Sequence, residues 1–209
     1  MRVTSLELEP RTGGVRVELD EQPFGTVSAS DVTALGLAVE RRLDQQESAA
    51  LARRAEVFSA RQVALSALSG RALPASEVLK RLIRKGHPRP ASEEAVRSLR
   101  EGGLIDDAEF ARHYARTRAV RQRLGLRRLL AELRRLGVDD RVAEAATRQA
   151  LEAEGVDESA VLREAAGRKA RALRGLDPET AKRRLRAYLL RRGFTGRELA
   201  QVVREALGR

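Results

Sequence analysis

"GGLIDDAEFARHYARTR", residues 102–118, decides the fold. Phe110, Ala111, Tyr114 and Ala115 fall at i, i+1, i+4 and i+5, the stripe of a helix that buries one side. Asp106 and Asp107 stand directly before that stripe. A short carboxylate there accepts from the free N–H groups of the first turn and suits the positive end of the helix dipole. Gly102 and Gly103 close the preceding segment, and Leu104–Ile105 are placed to pack as a hydrophobic staple. The same carboxylates invite a metal or acid–base reading, which finds little support. The only histidines, His87 and His113, form no ligand pair at helical spacing, and no Asp-x-Asp or His-x-x-x-His motif occurs.

Immediately downstream lies "GLRRLLAELRRLG" (125–137). Leu126, Leu129, Leu130, Leu133 and Leu136 form one apolar stripe. Arg127, Arg128, Arg134 and Arg135 fall outside it, as two pairs seven residues apart on one solvent-facing side. Two other stretches resemble this helix, "VLKRLIRKG" (78–86) and "LRAYLLRRG" (185–193). Each is amphipathic, turns basic toward its end and stops at a glycine, as the dipole and the C′ position favour. Gly86, Gly137 and Gly193 lie 51 and 56 residues apart, the length of three short helices with turns. Repetition at this period predicts a tandem array. The expected helices are near 58–69, 74–85 and 91–101, then 106–123, 125–136 and 139–153, then 157–173, 178–192 and 195–207. Asp139, Asp157, Asp177 and Thr195 sit where N-caps belong. Pro178 sits at a first helical position. "GHPRPAS" (86–92) reads as a non-helical turn.

The first 28 residues read differently. "VTSLEL" and "VRVEL" alternate with period two around "EPRTGG", a hairpin pattern, and "PFGTV" is a candidate third strand. A one-sided sheet this small needs a helix to cover it. "SASDVTALG" predicts a short helix between a serine cap and a glycine stop. Asp44 with Glu47 predicts a capping box that opens a helix toward Phe58. The expected fold is therefore mainly α: a tandem array of three three-helix units, elongated and curved, behind a small N-terminal β-hairpin or sheet plus helix. Its divisions are 1–57 for the leader and 58–105, 106–155 and 156–209 for the units.

Charge points to a polyanionic partner. Residues 1–57 hold 7 basic and 10 acidic groups, whereas the remainder hold 34 and 20, within a net charge of +11. Only 4 of the 41 basic residues are lysine, and arginine suits bidentate phosphate contact. A composition bias toward Arg, Ala and Leu would raise the same count. In the first unit Val78, Leu79, Leu82 and Ile83 are expected inward, with Lys80, Arg81, Arg84 and Lys85 outward. The third unit offers Arg183, Arg184, Arg191 and Arg192. After the opening stripe come Arg118, Arg121 and Arg123. Arg118 borders Tyr114, where a carboxylate could pin it, while Arg121 and Arg123 read as exposed. A solvated helix face would normally mix signs, so three basic faces favour a surface that tracks phosphates. With 6 aromatics, mostly at inward or helix-end positions, a base-stacking platform is poorly supported, and contact with single- or double-stranded DNA would be non-specific.

No nucleotide loop or nucleophile set is visible, and no cofactor is expected. No cysteine is present, no apolar run approaches a membrane span, and Glu7 and Glu9 fall where a signal peptide needs an apolar core. The expectation is a cytoplasmic protein without membrane contact.

The opening stretch, followed by "GLRRLLAELRRLGVDD", resembles the central repeat of the RecX regulatory proteins. In that family a Leu-x-Asp-Asp-x-x-Phe-Ala segment leads into a helix ending near an arginine, and a Leu-x-x-Glu-Leu-x-x-x-Gly-Val segment follows. The matching positions are Leu104, Asp106, Asp107, Phe110, Ala111, Arg118, Leu130, Glu132, Leu133, Gly137 and Val138. "YLLRRGF" (188–194), "SALSGRALPASEVLKRLIRKG" (66–86) and "PFGTVSASDVTALGL" resemble the third repeat, the first repeat and the leader. The chain departs from the pattern at "HPRP" and in the scarce acidic charge of its third unit. The resemblance implies a monomeric modulator of the RecA recombinase, without a catalytic site, lying in the groove of the RecA–DNA filament. It implies inhibition of ATPase and strand exchange, with disassembly promoted or extension blocked. A rival reading is a stand-alone DNA-binding repressor, because three-helix units can mimic helix-turn-helix modules.

Overall fold

The computed structural model describes residues 1–208, Val120 by its backbone alone. It divides into two compact bodies, residues 1–105 and the residues from Asp106 on.

The first body opens with β1 (Val3–Glu9), β2 (Gly14–Leu19) and β3 (Gln22–Ser28), an antiparallel sheet in that order. The β2–β3 turn is made by Asp20 and Glu21, both at positive φ (50° and 65°), the backbone hand that matches strand twist. Val3 and Leu6 have opposite parity in sequence. A register shift between Val3 and Ser5 lets Val3 pair with Leu19 while Leu6 pairs with Val17. Helix α1 (Ala29–Ala34) starts on a Ser28–Asp31 capping box. Helix α2 (Gln45–Leu68) starts on the expected Asp44–Glu47 box.

Two helices expected to meet near residue 57 are one helix of 24 residues. Residues 51–68 contain neither Gly nor Pro, so nothing breaks the backbone there. The helix serves two cores. Leu51 joins Val3, Val17, Leu19 and Val27 over the sheet, and Ala60, Ala64 and Ala67 join the helical core beyond. That second core is completed by α3 (Ala75–Arg84) and α4 (Arg89–Glu101). The "GHPRPAS" turn is shorter than expected, because α4 already begins at Arg89 with Pro90 in its first turn, where no backbone donor is needed. Ile83 is a second correction. Expected inward, it is 41% exposed, whereas Val78 and Leu82 are fully buried.

The second body contains α5 (Asp107–Gln122), α6 (Leu126–Arg135), α7 (Asp140–Ala153), α8 (Glu158–Arg171), α9 (Pro178–Arg191) and α10 (Arg197–Leu207). Asp106 caps α5, its Oδ1 accepting from the N–H groups of Ala108 and Glu109 at 2.8 Å each. Asp139, Asp157 and Asp177 cap α7, α8 and α9 in the same way. Thr195 does not cap α10. The cap is Gly196 at φ +95°, with no side-chain acceptor. Of the pair that precedes the α5 cap, Leu104 is 53% exposed and Ile105 is buried in the core of α2, α3 and α4.

The repeat is visible atom by atom in the second helix of each unit. Gly86, Gly137 and Gly193 have φ of +92°, +77° and +88°. The residue after each glycine donates its N–H back to a carbonyl one turn earlier: His87 to Leu82, Val138 to Leu133 and Phe194 to Leu189. This Schellman closure satisfies the orphan carbonyls of the last turn. The leucines that accept these bonds are all fully buried, as are Val78, Leu129 and Leu185 four residues earlier. One sequence pattern thus fixes the end of the helix and the face it buries.

Candidate nucleic-acid interface

The expected cations meet three different fates. The first group is committed to structure. Glu132, 8% exposed on α6, accepts from the Tyr114 hydroxyl at 2.6 Å and from Arg128 Nε at 2.8 Å. The Arg118 guanidinium lies 5.0 Å from the Tyr114 ring centroid and donates to Gln122 Oε1 at 2.8 Å. Burial opposes the charge on Glu132. The Tyr114 hydroxyl, Arg128 and Arg118 overcome it and hold the carboxyl below its ordinary range. Burial first, then the hydrogen bond and charge of Glu132, pushes the Tyr114 phenol up to about 12. The opening aromatics, Phe110 and Tyr114, are half-buried and pack against the core of Ala111, Leu133, Val138, Ala143 and Ala146, and Arg118 borders them as anticipated.

The network predicts a titration. With Tyr188→Phe in the background, absorbance of the single remaining phenol shows a midpoint near pH 12, and adding Glu132→Gln lowers it toward 10. A parent midpoint at 10 would overturn the network. The phenol's folded value is raised, so its contribution to stability is intact below pH 10 and lost as pH climbs toward 12. Glu132 has the opposite sign: its contribution is present above the ordinary carboxylate range and lost as pH falls through its depressed value.

Arg123 and Arg192 are also committed. Arg123, expected to be exposed, terminates α5 in the left-handed conformation and pairs with Glu164 of α8, with 20% of its side chain accessible. Arg192 stacks 4.8 Å from the Tyr188 centroid and donates Nη1 to the carbonyls of Gln122 and Arg123. Its own carbonyl accepts from Gly125 N at 2.8 Å. It ties the end of α9 to the α5–α6 turn.

The second group is paired on the surface. Lys80 meets Glu77 at 2.9 Å, and Arg134 meets both Asp140 oxygens at 2.8 and 3.0 Å. Exposed pairs of this kind are weak, because water and salt screen them, and they exchange readily for a phosphate.

The third group holds free heads. Among the described residues Arg81, Arg84, Lys85, Arg121, Arg127, Arg135, Arg183, Arg184 and Arg191 have no side-chain hydrogen bond or ion pair. The two arginine pairs of α6 divide evenly: the inner members, Arg128 and Arg134, are held by acids, and the outer members, Arg127 and Arg135, are not.

The third unit gathers its cations around a hollow of about 400 Å³. Lys169, Arg174, Arg184 and Arg191 line it over Ala172, Leu173, Leu176 and Ala187, with no carboxylate in the lining. Lys169 and Arg174 were missed in the sequence. Both fall in "GRKARALRG" (167–175), whose basic run at the end of α8 was the available signal. Among the described residues no cluster of three His, Asp or Glu side chains is placed to hold a metal, and no helix is long and apolar enough to cross a membrane.

Two family models match this chain, RecX, second three-helix domain, over residues 106–146 and RecX, third three-helix domain, over residues 157–203. The regulatory protein RecX of Amycolatopsis mediterranei is 36% identical over 148 residues, which is 71% of this chain and 83% of that protein. The chain belongs to the RecX regulatory protein family. The Streptomyces coelicolor member is 35% identical over 72% of this chain and 79% of its own length. A crystal structure of regulatory protein RecX superposes with a TM-score of 0.78 at 23% identity, covering 99% of this chain and 98% of that one. RecX from Lactobacillus salivarius gives 0.62 at 20% identity, over 72% and 96%. The positions that carried the resemblance have structural duties here: Asp106 caps, Ala111 and Leu133 pack, Glu132 bridges α6 to Tyr114, and Gly137 closes its helix.

Proposed function

We propose that this protein binds the RecA–DNA filament in its groove and restrains it. It lowers ATPase and strand exchange and promotes disassembly or blocks extension. The observation that carries the reading is the family membership at 36% identity over most of the chain. The free arginines of α3, α6 and α9 support the DNA side of it, because unpaired guanidinium groups can neutralise phosphates without reading sequence. On this reading the protein acts in the cytoplasm as a monomer without turnover of its own: the restraint comes from occupying the filament, and no cofactor is needed.

The decisive experiment titrates this protein into RecA hydrolysing ATP on single-stranded DNA. Hydrolysis should fall by more than half at a few proteins per several recombinase subunits. Unchanged hydrolysis at stoichiometric excess would end the proposal. A footprint with strong sequence preference at moderate salt, obtained without RecA, would favour a stand-alone repressor instead.

A further inference from the structure

The α6 leucine stripe does not bury uniformly. Leu129 and Leu133 are fully enclosed, but Leu126 and Leu130 are half-buried and face a groove with Leu151 of α7 and Val156 of the α7–α8 turn. The groove encloses about 570 Å³, room for more than one aliphatic side chain. Its polar lining reverses the sign of the molecule. Glu144, Glu152, Asp157 and Glu158 stand around it with a single cation, Arg148, on a chain of net charge +11. A surface built only to follow phosphates has no use for an apolar trough with carboxylates around it, because those carboxylates repel the backbone.

We infer that this groove docks a basic amphipathic helix of a protein partner, with aliphatic anchors one turn apart entering between Leu126, Leu130 and Leu151 and Lys or Arg side chains meeting Glu144 and Glu152. The occupant follows from charge complementarity and from the helix-in-groove mode, in which apolar anchors supply affinity and flanking charges fix register. The proposal rests on the reading that the partner is the RecA filament, and it assigns protein contact and DNA contact to different faces of the same three-helix unit. Two of the acids already have local duties. Asp157 caps α8, and Glu158 Oε1 accepts from Leu126 N at 3.1 Å. Glu144 and Glu152 are exposed and can be changed without touching a cap.

The test is the double reversal Glu144→Lys with Glu152→Lys, measured in parallel for inhibition of RecA ATPase and for binding to single-stranded DNA alone. Adding four units of positive charge should tighten, or leave unchanged, the binding to DNA. If the groove docks a basic helix, the concentration needed to inhibit RecA should nevertheless rise about tenfold or more, against the electrostatic trend. The neutral pair Glu144→Gln with Glu152→Gln should fall between, with unchanged circular dichroism for both variants. Inhibition that is unchanged or improved by the reversal overturns the inference. So does a reversal that alters only self-association on gel filtration, which would make a second copy the occupant. Failure of the unmodified protein to inhibit RecA would instead remove the parent reading, so the two failures are distinct.

Discussion

Gly193→Ala should destabilise the second body by about 2–5 kcal/mol and lower its melting temperature by 10 °C or more. Two costs add at this residue. Its φ is +88°, a conformation that costs an L side chain about 1–2 kcal/mol. A methyl at its Cβ position would also stand 2.5 Å from Arg128 Cβ and 2.9 Å from Arg128 Cα, on backbone that cannot step aside because it opens α6. Gly86 is the control. It closes the equivalent helix at φ +92°, yet a Cβ there meets nothing within 4 Å. Gly86→Ala should therefore cost only the conformational part, about 1–2 kcal/mol. Equal losses for the two variants, by thermal or urea unfolding, would show that the close approach of Gly193 to Arg128 does not matter.

That pair of glycines also separates what the sequence tells from what it withholds. Both were legible as helix stops, because stop signals are local: a basic last turn and a glycine after it. The aspartate caps were legible for the same reason, each needing only an acceptor next to its own helix. The close approach of Gly193 to Arg128 was not legible, since 65 positions separate them and only packing brings them together. The candidate interface divides along the same line. Periodicity places arginines outside the apolar stripe correctly, but it is blind to the acids that will meet them. Arg123 finds Glu164 on another unit, and Arg192 reaches carbonyls about 70 residues away. Arg128 lies four residues from Glu132 on its own helix, so that pair was readable from i, i+4 spacing. Thr195 fails as a cap for a local reason: Gly196, at a positive φ no β-branched residue tolerates, takes that place.

Replacing Arg121, Arg127 and Arg135 together with alanine should weaken non-specific DNA binding by about 10²- to 10³-fold at 0.1 M salt, and should leave the fold intact. These guanidinium groups hold no acid, so their loss strands no buried charge, and circular dichroism and melting temperature should barely move. The magnitude follows from counterion release. Each duplex phosphate contact adds about 0.9 to the slope of log affinity against log salt, so three lost contacts reduce the slope by roughly 2 to 3 and act most strongly in dilute salt. Arg128→Ala is the contrasting variant. It removes one of two hydrogen bonds to a buried carboxylate, so the larger effect should be a stability loss of about 1–3 kcal/mol, with a smaller change in salt slope. A triple variant whose affinity and slope both match the parent would mean that phosphates are held elsewhere. The hollow of Lys169, Arg174, Arg184 and Arg191 would then be the place to look, and Arg184→Ala with Arg191→Ala should give the slope change that the triple variant lacks.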